Sequence, residues 1–213
     1  RKIGNLFIVI FLIALGSDII NDLLNRLLFV SYPAFANILV MSTPLMLPSL
    51  YLYIRSISFK DNRLKKLDLL HLIPFMITNM FLIFDYHLKQ THIQSEVLST
   101  GEGMSDIYVP LFYFIYITQL ILYSVLSIKE VNRYKQIVFE NYSDTLKNNY
   151  KWVKQLIFAF LIILTVAVIK NLVNYFFSDA LFEIILLILR IFDLLFISWI
   201  IYKALKRPYI FTG

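Results

Sequence analysis

The sequence predicts an all-α, polytopic transmembrane helix bundle, on three observations. The 213 residues are 59% hydrophobic and 16% charged, with mean hydropathy +0.72. A soluble domain is about half apolar and about a quarter charged, so too little polar surface remains here to coat a water-soluble globule. The apolar residues gather into six runs, each near the ~20 residues that carry a helix across a bilayer. Within the runs apolar and polar residues do not alternate, which argues against barrel strands. Helices remain, because lipid offers backbone groups no other partner.

The runs cover about Asn5 to Leu28, Pro33 to Ile54, Leu69 to Tyr86, Ile107 to Ile128, Trp152 to Phe177 and Ala180 to Tyr202. Six spans leave only short connections, so residues 1–213 form one membrane domain with no room for a sizeable soluble one. The first run is too long for a signal peptide and lacks a small-residue cleavage site. In the second run Pro44 and Pro48 predict a kink, with Ser42 and Thr43 placed to satisfy freed backbone groups. In the third, Pro74 sits in the first turns, with Asp68 as N-cap; Pro110 plays the same part in the fourth. Tyr150, Trp152, Trp199 and Tyr202 fall near span ends, where amphipathic rings prefer the interface.

Orientation follows from the basic residues, which concentrate on the cytoplasmic side of membrane proteins. Arg1 and Lys2 precede the first span. Arg55, Lys60, Arg63, Lys65 and Lys66 fill the second connection. Lys129, Arg133, Lys135, Lys147, Lys151 and Lys154 fill the fourth, and Lys203, Lys206 and Arg207 follow the sixth span. Of the 20 basic residues, the exceptions are Arg26 and Lys89 in the opposite connections and Lys170 and Arg190 within spans. Both ends of residues 1–213 are therefore expected in the cytoplasm. The net charge of +6 lies in membrane-proximal loops, where anionic lipid headgroups attract it. No helix-turn-helix, zinc motif or RNA-binding signature lies within these residues. In the stretch from Arg133 to Lys151, Val138, Phe139, Tyr142 and Leu146 predict one apolar face, as in an interfacial amphipathic helix or a docking surface; Ser143 is placed to cap a helix entering span five.

Ionisable residues inside spans are costly and mark candidate sites. Span one carries Asp18, Asn21 and Asp22, span five Lys170, Asn171 and Asn174, and span six Glu183, Arg190 and Asp193. Most lie in the half of the membrane away from the cytoplasm, so two readings stand. Either they line an outward-opening polar cavity that binds a ligand, or they form packing pairs such as Arg190 with Asp193 or Asp18 with Lys170. His87, His92 and Glu96 share one loop, but their irregular spacing does not make a metal site. His71 reads as a capping or packing group. There are no cysteines, and no Ser-His-Asp elbow, Walker loop, HExxH or dinucleotide turn is present. No cofactor and no catalytic function are expected. The prolines of span two have no counterpart in the second half, so no inverted transporter repeat is evident.

Several stretches together resemble a known family. PLMLPSLYLYIRSI (44–57) followed by LKKLDLLHLIPFMI (64–77) resembles a Pro-rich aromatic span end, a short basic loop and an LLHxxPF pattern. ENYSDTLKNNYKWVKQL (140–156) resembles a cytoplasmic segment in which an aromatic-Ser pair precedes a Trp entering the next span. YKALKRPYIF (202–211) resembles a characteristic exit from the last span. The family is the membrane-bound AraC-type bacterial transcription regulators. Its pattern has about seven membrane helices, one of them before the position of Arg1, and a helix-turn-helix DNA-binding domain beyond that of Gly213. The resemblance implies a sensor region in the bacterial cytoplasmic membrane. It implies an unidentified small-molecule or membrane signal, contact with DNA only through the following domain, and a homodimer. A small-molecule transporter or channel component, and the membrane domain of a sensor kinase, are the alternatives.

Overall fold

A computed structural model describes residues 2–58, 66–84, 108–141, 144–176 and 179–206, and every element among them is helical. Helix α1 is Lys2–Ser31. Helix α2, Pro33–Ser42, passes through a 3-10 turn, Thr43–Leu45, into α3, Met46–Ser58. A second 3-10 helix, Lys66–Leu72, leads into α4, Ile73–Leu82. Three long helices follow: α5 (Tyr108–Asn141), α6 (Asp144–Phe176) and α7 (Asp179–Lys206). Taken as rods, with α2–α3 and the 3-10–α4 pair each counted once, these are the six expected helical segments.

Five of them are long and apolar enough to cross a membrane: Gly4–Leu24, Ile38–Ser58, Phe114–Glu140, Asn149–Lys170 and Leu181–Lys206. The third segment, Leu67–Leu82, is shorter. Its 3-10 start offsets part of that. A 3-10 helix rises about 2.0 Å per residue against about 1.5 Å, so Lys66–Leu82 reaches about 29 Å where an unbroken α-helix would reach about 26 Å. The hydrocarbon core is ~30 Å thick. Large exposed apolar side chains, such as Leu6, Ile13, Met76, Ile117, Ile184 and Leu187, stud the helices. In water they would be an aggregation surface; in lipid they are the normal exterior.

The proline kink of span two takes a specific form. Pro44 has no N–H for the Val40 carbonyl, and the Thr43 N–H takes that carbonyl instead. The Met46 N–H then bonds the Thr43 carbonyl, closing the 3-10 turn. The hydroxyl of Ser42 donates to the Leu39 carbonyl at 2.7 Å and that of Ser49 to Met46 at 2.9 Å. At span three the helix begins two residues ahead of Asp68, so Asp68 lies inside the first 3-10 turn and is not the N-cap of α4. That position belongs to Leu72, with Pro74 in the first turn behind it.

The stretch Arg133 to Lys151 is not a separate interfacial helix. It is the end of α5 and the start of α6, two helices of 34 and 33 residues. At 1.5 Å per residue each is about 50 Å long, some 20 Å more than the hydrocarbon core. The apolar face read from the sequence divides, with Val138 6% and Phe139 63% exposed. Tyr142 and Ser143 lie outside the described residues.

The described residues fall into two compact units. One takes its residues from Arg1–Asn5, Ile54–Asp61 and Leu126–Gly213, the other from Leu6–Tyr53 and Asn62–Val125. In the first, α6 and α7 pack along each other. Trp152, Val153, Leu156, Ile157, Phe160, Ile163 and Leu164 form the buried stripe of α6, at helical spacing. Trp152 meets Trp199 with ring centroids 5.0 Å apart, Trp199 stacks on Phe196 at 6.1 Å, and Phe196 on Phe160 at 6.2 Å. Lys203 lies over Trp199 and Lys206 over Tyr202. Between lipid-exposed helices apolar burial supplies little drive, so such shape-specific contacts hold the pair together. In the second unit, α4 packs against α2 and the first 3-10 turn.

Candidate functional site

The nine residues singled out from the sequence divide between the units. In the first unit, Arg190 and Asp193 come together on α7: Arg190 Nη1 donates to Asp193 Oδ2 at 2.8 Å, and both residues are buried. The reason lies in their register. Leu189, Arg190, Asp193, Phe196 and Ile200 recur at three- and four-residue steps, so the charged pair occupies the buried stripe of α7. Pairing leaves that stripe neutral, which makes a guanidinium tolerable at membrane depth. Lys170 Nζ sits 5.7 Å from the Phe182 ring centroid, a cation–π contact between α6 and α7. Glu183 is exposed. Asn171 and Asn174 lie on α6, with side chains outside the described set.

In the second unit, Asp18, Asn21 and Asp22 lie within one turn of each other on α1 and are partly buried. Asn21 Oδ1 is buried and has no hydrogen-bond partner. Asp18 and Asp22 have interactions of their own. The proposed cavity draws its residues from both units, and each part stands as described within its own.

Two groups were missed at the level of sequence. The first surrounds Asn79 on α4. Its Nδ2 donates to the Phe75 carbonyl at 2.8 Å and, across to the proline-interrupted helix, to the Met41 carbonyl at 3.2 Å. Asn79 is 7% exposed, and its Oδ1 is buried without a partner. Gln119 on α5 is 4% exposed, and its Nε2 is likewise unpartnered. Single amides in apolar runs give no periodic signal. An Asn or Gln within a span is the available cue, and neither Asn79 nor Gln119 has an Asp, Glu, Lys or Arg within one helical turn to mark it.

The second group joins three elements. His71 Nδ1 lies 2.9 Å from the Tyr123 hydroxyl. The Tyr51 ring sits 5.1 Å from His71 and 5.9 Å from Tyr123, measured between centroids. His71 is thus the packing group the sequence suggested, with named partners. The signal for its placement is a period of three. In a 3-10 helix residues three apart eclipse. Asp68 and His71 therefore share a face, with Asp68 buried, while Leu67, Leu69, Leu70 and Leu72 are exposed.

Among the described residues no three His, Asp or Glu side chains gather to hold a metal ion. His87, His92 and Glu96 lie outside the described residues. No protein-family model, no curated protein and no solved structure matches this chain.

Proposed function

We propose that this chain is the membrane-embedded sensory and signal-transducing domain of a DNA-binding transcription regulator, similar to the membrane-bound AraC-type regulators of bacteria. The observation that carries the reading is the ordered series of four resembling stretches, 44–57, 64–77, 140–156 and 202–211, spread over most of the chain. The basic residues support it, because their concentration beside one set of span ends is what a cytoplasmic position of both ends of this region, where an attached DNA-binding domain works, requires. The unbroken α7, 28 residues ending on Lys203 and Lys206, is a suitable rigid transmitter. Its buried Arg190–Asp193 pair gives it a discrete packing register against which a signal acts. A sensor needs two such arrangements whose balance the signal shifts. The attached domains would act in pairs, so the assembly is a homodimer.

Translation of the complete reading frame on both sides tests this first. A membrane helix before Arg1 and a helix-turn-helix domain after Gly213 are expected. A kinase domain after Gly213 would replace the output. A Met just before Arg1 with a stop codon just after Gly213 would sink the regulator reading and put a transporter or channel component first, to be read by solute flux in liposomes.

A further inference from the structure

The exposed side of α6 changes character along a single stripe. Lys151, Lys154, Phe158, Ile162, Thr165 and Ile169 recur at steps of three and four residues, so they line up on one face, and all six are exposed. At 100° per residue that face lies opposite the buried stripe of the same helix. Two ammonium groups open it and apolar side chains continue it. Thr165 is the exception, and its hydroxyl donates to the Leu161 carbonyl at 2.8 Å, so its polar hydrogen stays on the helix. After Asp144, whose side chain lies outside the described set, α6 contains no Asp or Glu. Lys147, one turn further out, has interactions of its own, and the site does not require it.

Ring contacts set the level of the two lysines. Trp152, next to Lys151, meets Trp199 of α7 at 5.0 Å, and Lys203 lies 6.0 Å from the Trp199 ring centroid. The contacts Trp152–Trp199, Phe160–Phe196 and Lys170–Phe182 run in opposite directions along the two helices, so the pair is antiparallel and Lys151, Lys154 and Lys203 share one end of it. Amphipathic rings such as the paired tryptophans settle at the headgroup level. Helical side chains tilt toward the N-terminus of their own helix, which for α6 is this same end. Lys151 and Lys154 therefore lean toward the headgroups while their methylene stems lie on the apolar face.

We infer that this face of α6 is a binding site for an anionic phospholipid, its phosphate held by Lys151 and Lys154 and an acyl chain laid along Phe158, Ile162 and Ile169. Basic loops attract anionic leaflets in general; the structure adds an apolar face in register with two particular lysines. From Lys154 to Ile169 that face is about 22 Å long, enough to cover one leaflet of a hydrocarbon core ~30 Å thick. A soluble anion would use the lysines alone, whereas the apolar continuation of the same face suits a phosphate carried on hydrocarbon. The site is independent of the sensor reading and would serve a transporter equally.

The chain has no cysteine, so one introduced cysteine reports on one place. Phe158→Cys, 66% exposed in the native side chain and one turn from Lys154, is labelled with bimane in the complete protein, any cysteine outside residues 1–213 being changed to serine. Ile117→Cys on α5, also exposed and more than ten residues from any charged residue, is the control. Both are reconstituted in phosphatidylcholine bilayers containing phosphatidylglycerol or phosphatidylcholine with brominated acyl chains, which quench the label on contact. The ratio of the two quenching affinities cancels depth and is the readout. Each lysine near an anionic headgroup is worth about fivefold, so the ratio at Phe158 should favour phosphatidylglycerol by at least about fivefold and stay near one at Ile117. Lys151→Gln with Lys154→Gln should bring the Phe158 ratio to about one, and Lys151→Arg with Lys154→Arg should preserve it, with folding checked by size exclusion. A Phe158 ratio near one in folded protein, or equal ratios at the two labels, would overturn the site. A ratio that survives the glutamine pair would overturn the assignment to these lysines. Loss of the ratio on adding inorganic phosphate at constant ionic strength would replace the lipid by a free anion and overturn the lipid.

Discussion

Replacing Asp193 by Ala should strip the buried Arg190 guanidinium of its 2.8 Å carboxylate partner. Removing one member of a buried pair costs about 3–5 kcal/mol, because the remaining charge is left in a low-dielectric site. A lone Arg at the middle of a spanning helix costs about 2.5–3.5 kcal/mol on insertion scales, which agrees in size. Arg190→Met leaves the buried Asp193 carboxylate without its partner and should destabilise by a similar amount. The double variant Arg190→Met with Asp193→Leu replaces both charges by apolar side chains. It should lie near wild type, or up to about 1–4 kcal/mol above it. The assay is reversible denaturant unfolding in a lipid nanodisc or mild detergent, arranged as a double-mutant cycle. A coupling energy near zero, or a double variant as unstable as the sum of the singles, would refute the reasoning. The same double variant separates the two readings of this pair. If Arg190 only fixes packing, binding of the signal survives; if it contacts the signal, binding is lost in a folded protein.

Three further predictions follow from the packing. Gly4→Ala should destabilise by about 1–3 kcal/mol, since a Cβ there would collide with the Ser56 hydroxyl and lie 3.2 Å from Ser56 Cβ, whereas Gly16→Ala, with nothing within 4 Å, should gain about 0.5–1 kcal/mol of helix propensity; the same unfolding assay ranks them. Tyr123→Phe should remove the hydrogen bond to His71 at a cost of about 0.5–1.5 kcal/mol and change the His71 ring resonances seen by NMR of labelled histidine, and unchanged resonances would contradict the contact. Phe160→Ala should cost about 3–5 kcal/mol because the ring is buried against Phe196, while Phe158→Ala, on the exposed side of the same helix, should stay within about 0.5 kcal/mol; equal losses would mean that the α6 stripe is misassigned.

Much of the architecture is written in local pattern. Helix formation in lipid follows from backbone satisfaction, so apolar runs of sufficient length determined the six segments, and Pro44 determined a break in the second because its missing N–H is a property of the residue itself. Even the Arg190–Asp193 pair was legible, since an i, i+3 spacing on one helix brings two side chains together whatever the rest of the chain does. What required tertiary structure is whatever depends on a second helix. Val138 and Phe139 look equivalent in sequence, yet one is buried and the other faces out, because α5 and α6 run on as long rods and their packing, not the run of apolar residues, selects the face. Asp68 looks like a cap until the chain adopts a 3-10 helix, whose three-residue period turns Asp68 and His71 inward and the leucines outward. Asn79 is one amide in an apolar stretch until α4 lies beside the carbonyl of Met41 near the proline turn. Composition and periodicity report how a segment meets its solvent; which polar atom meets which, and which is left unmet, is decided only when helices distant in sequence come into register.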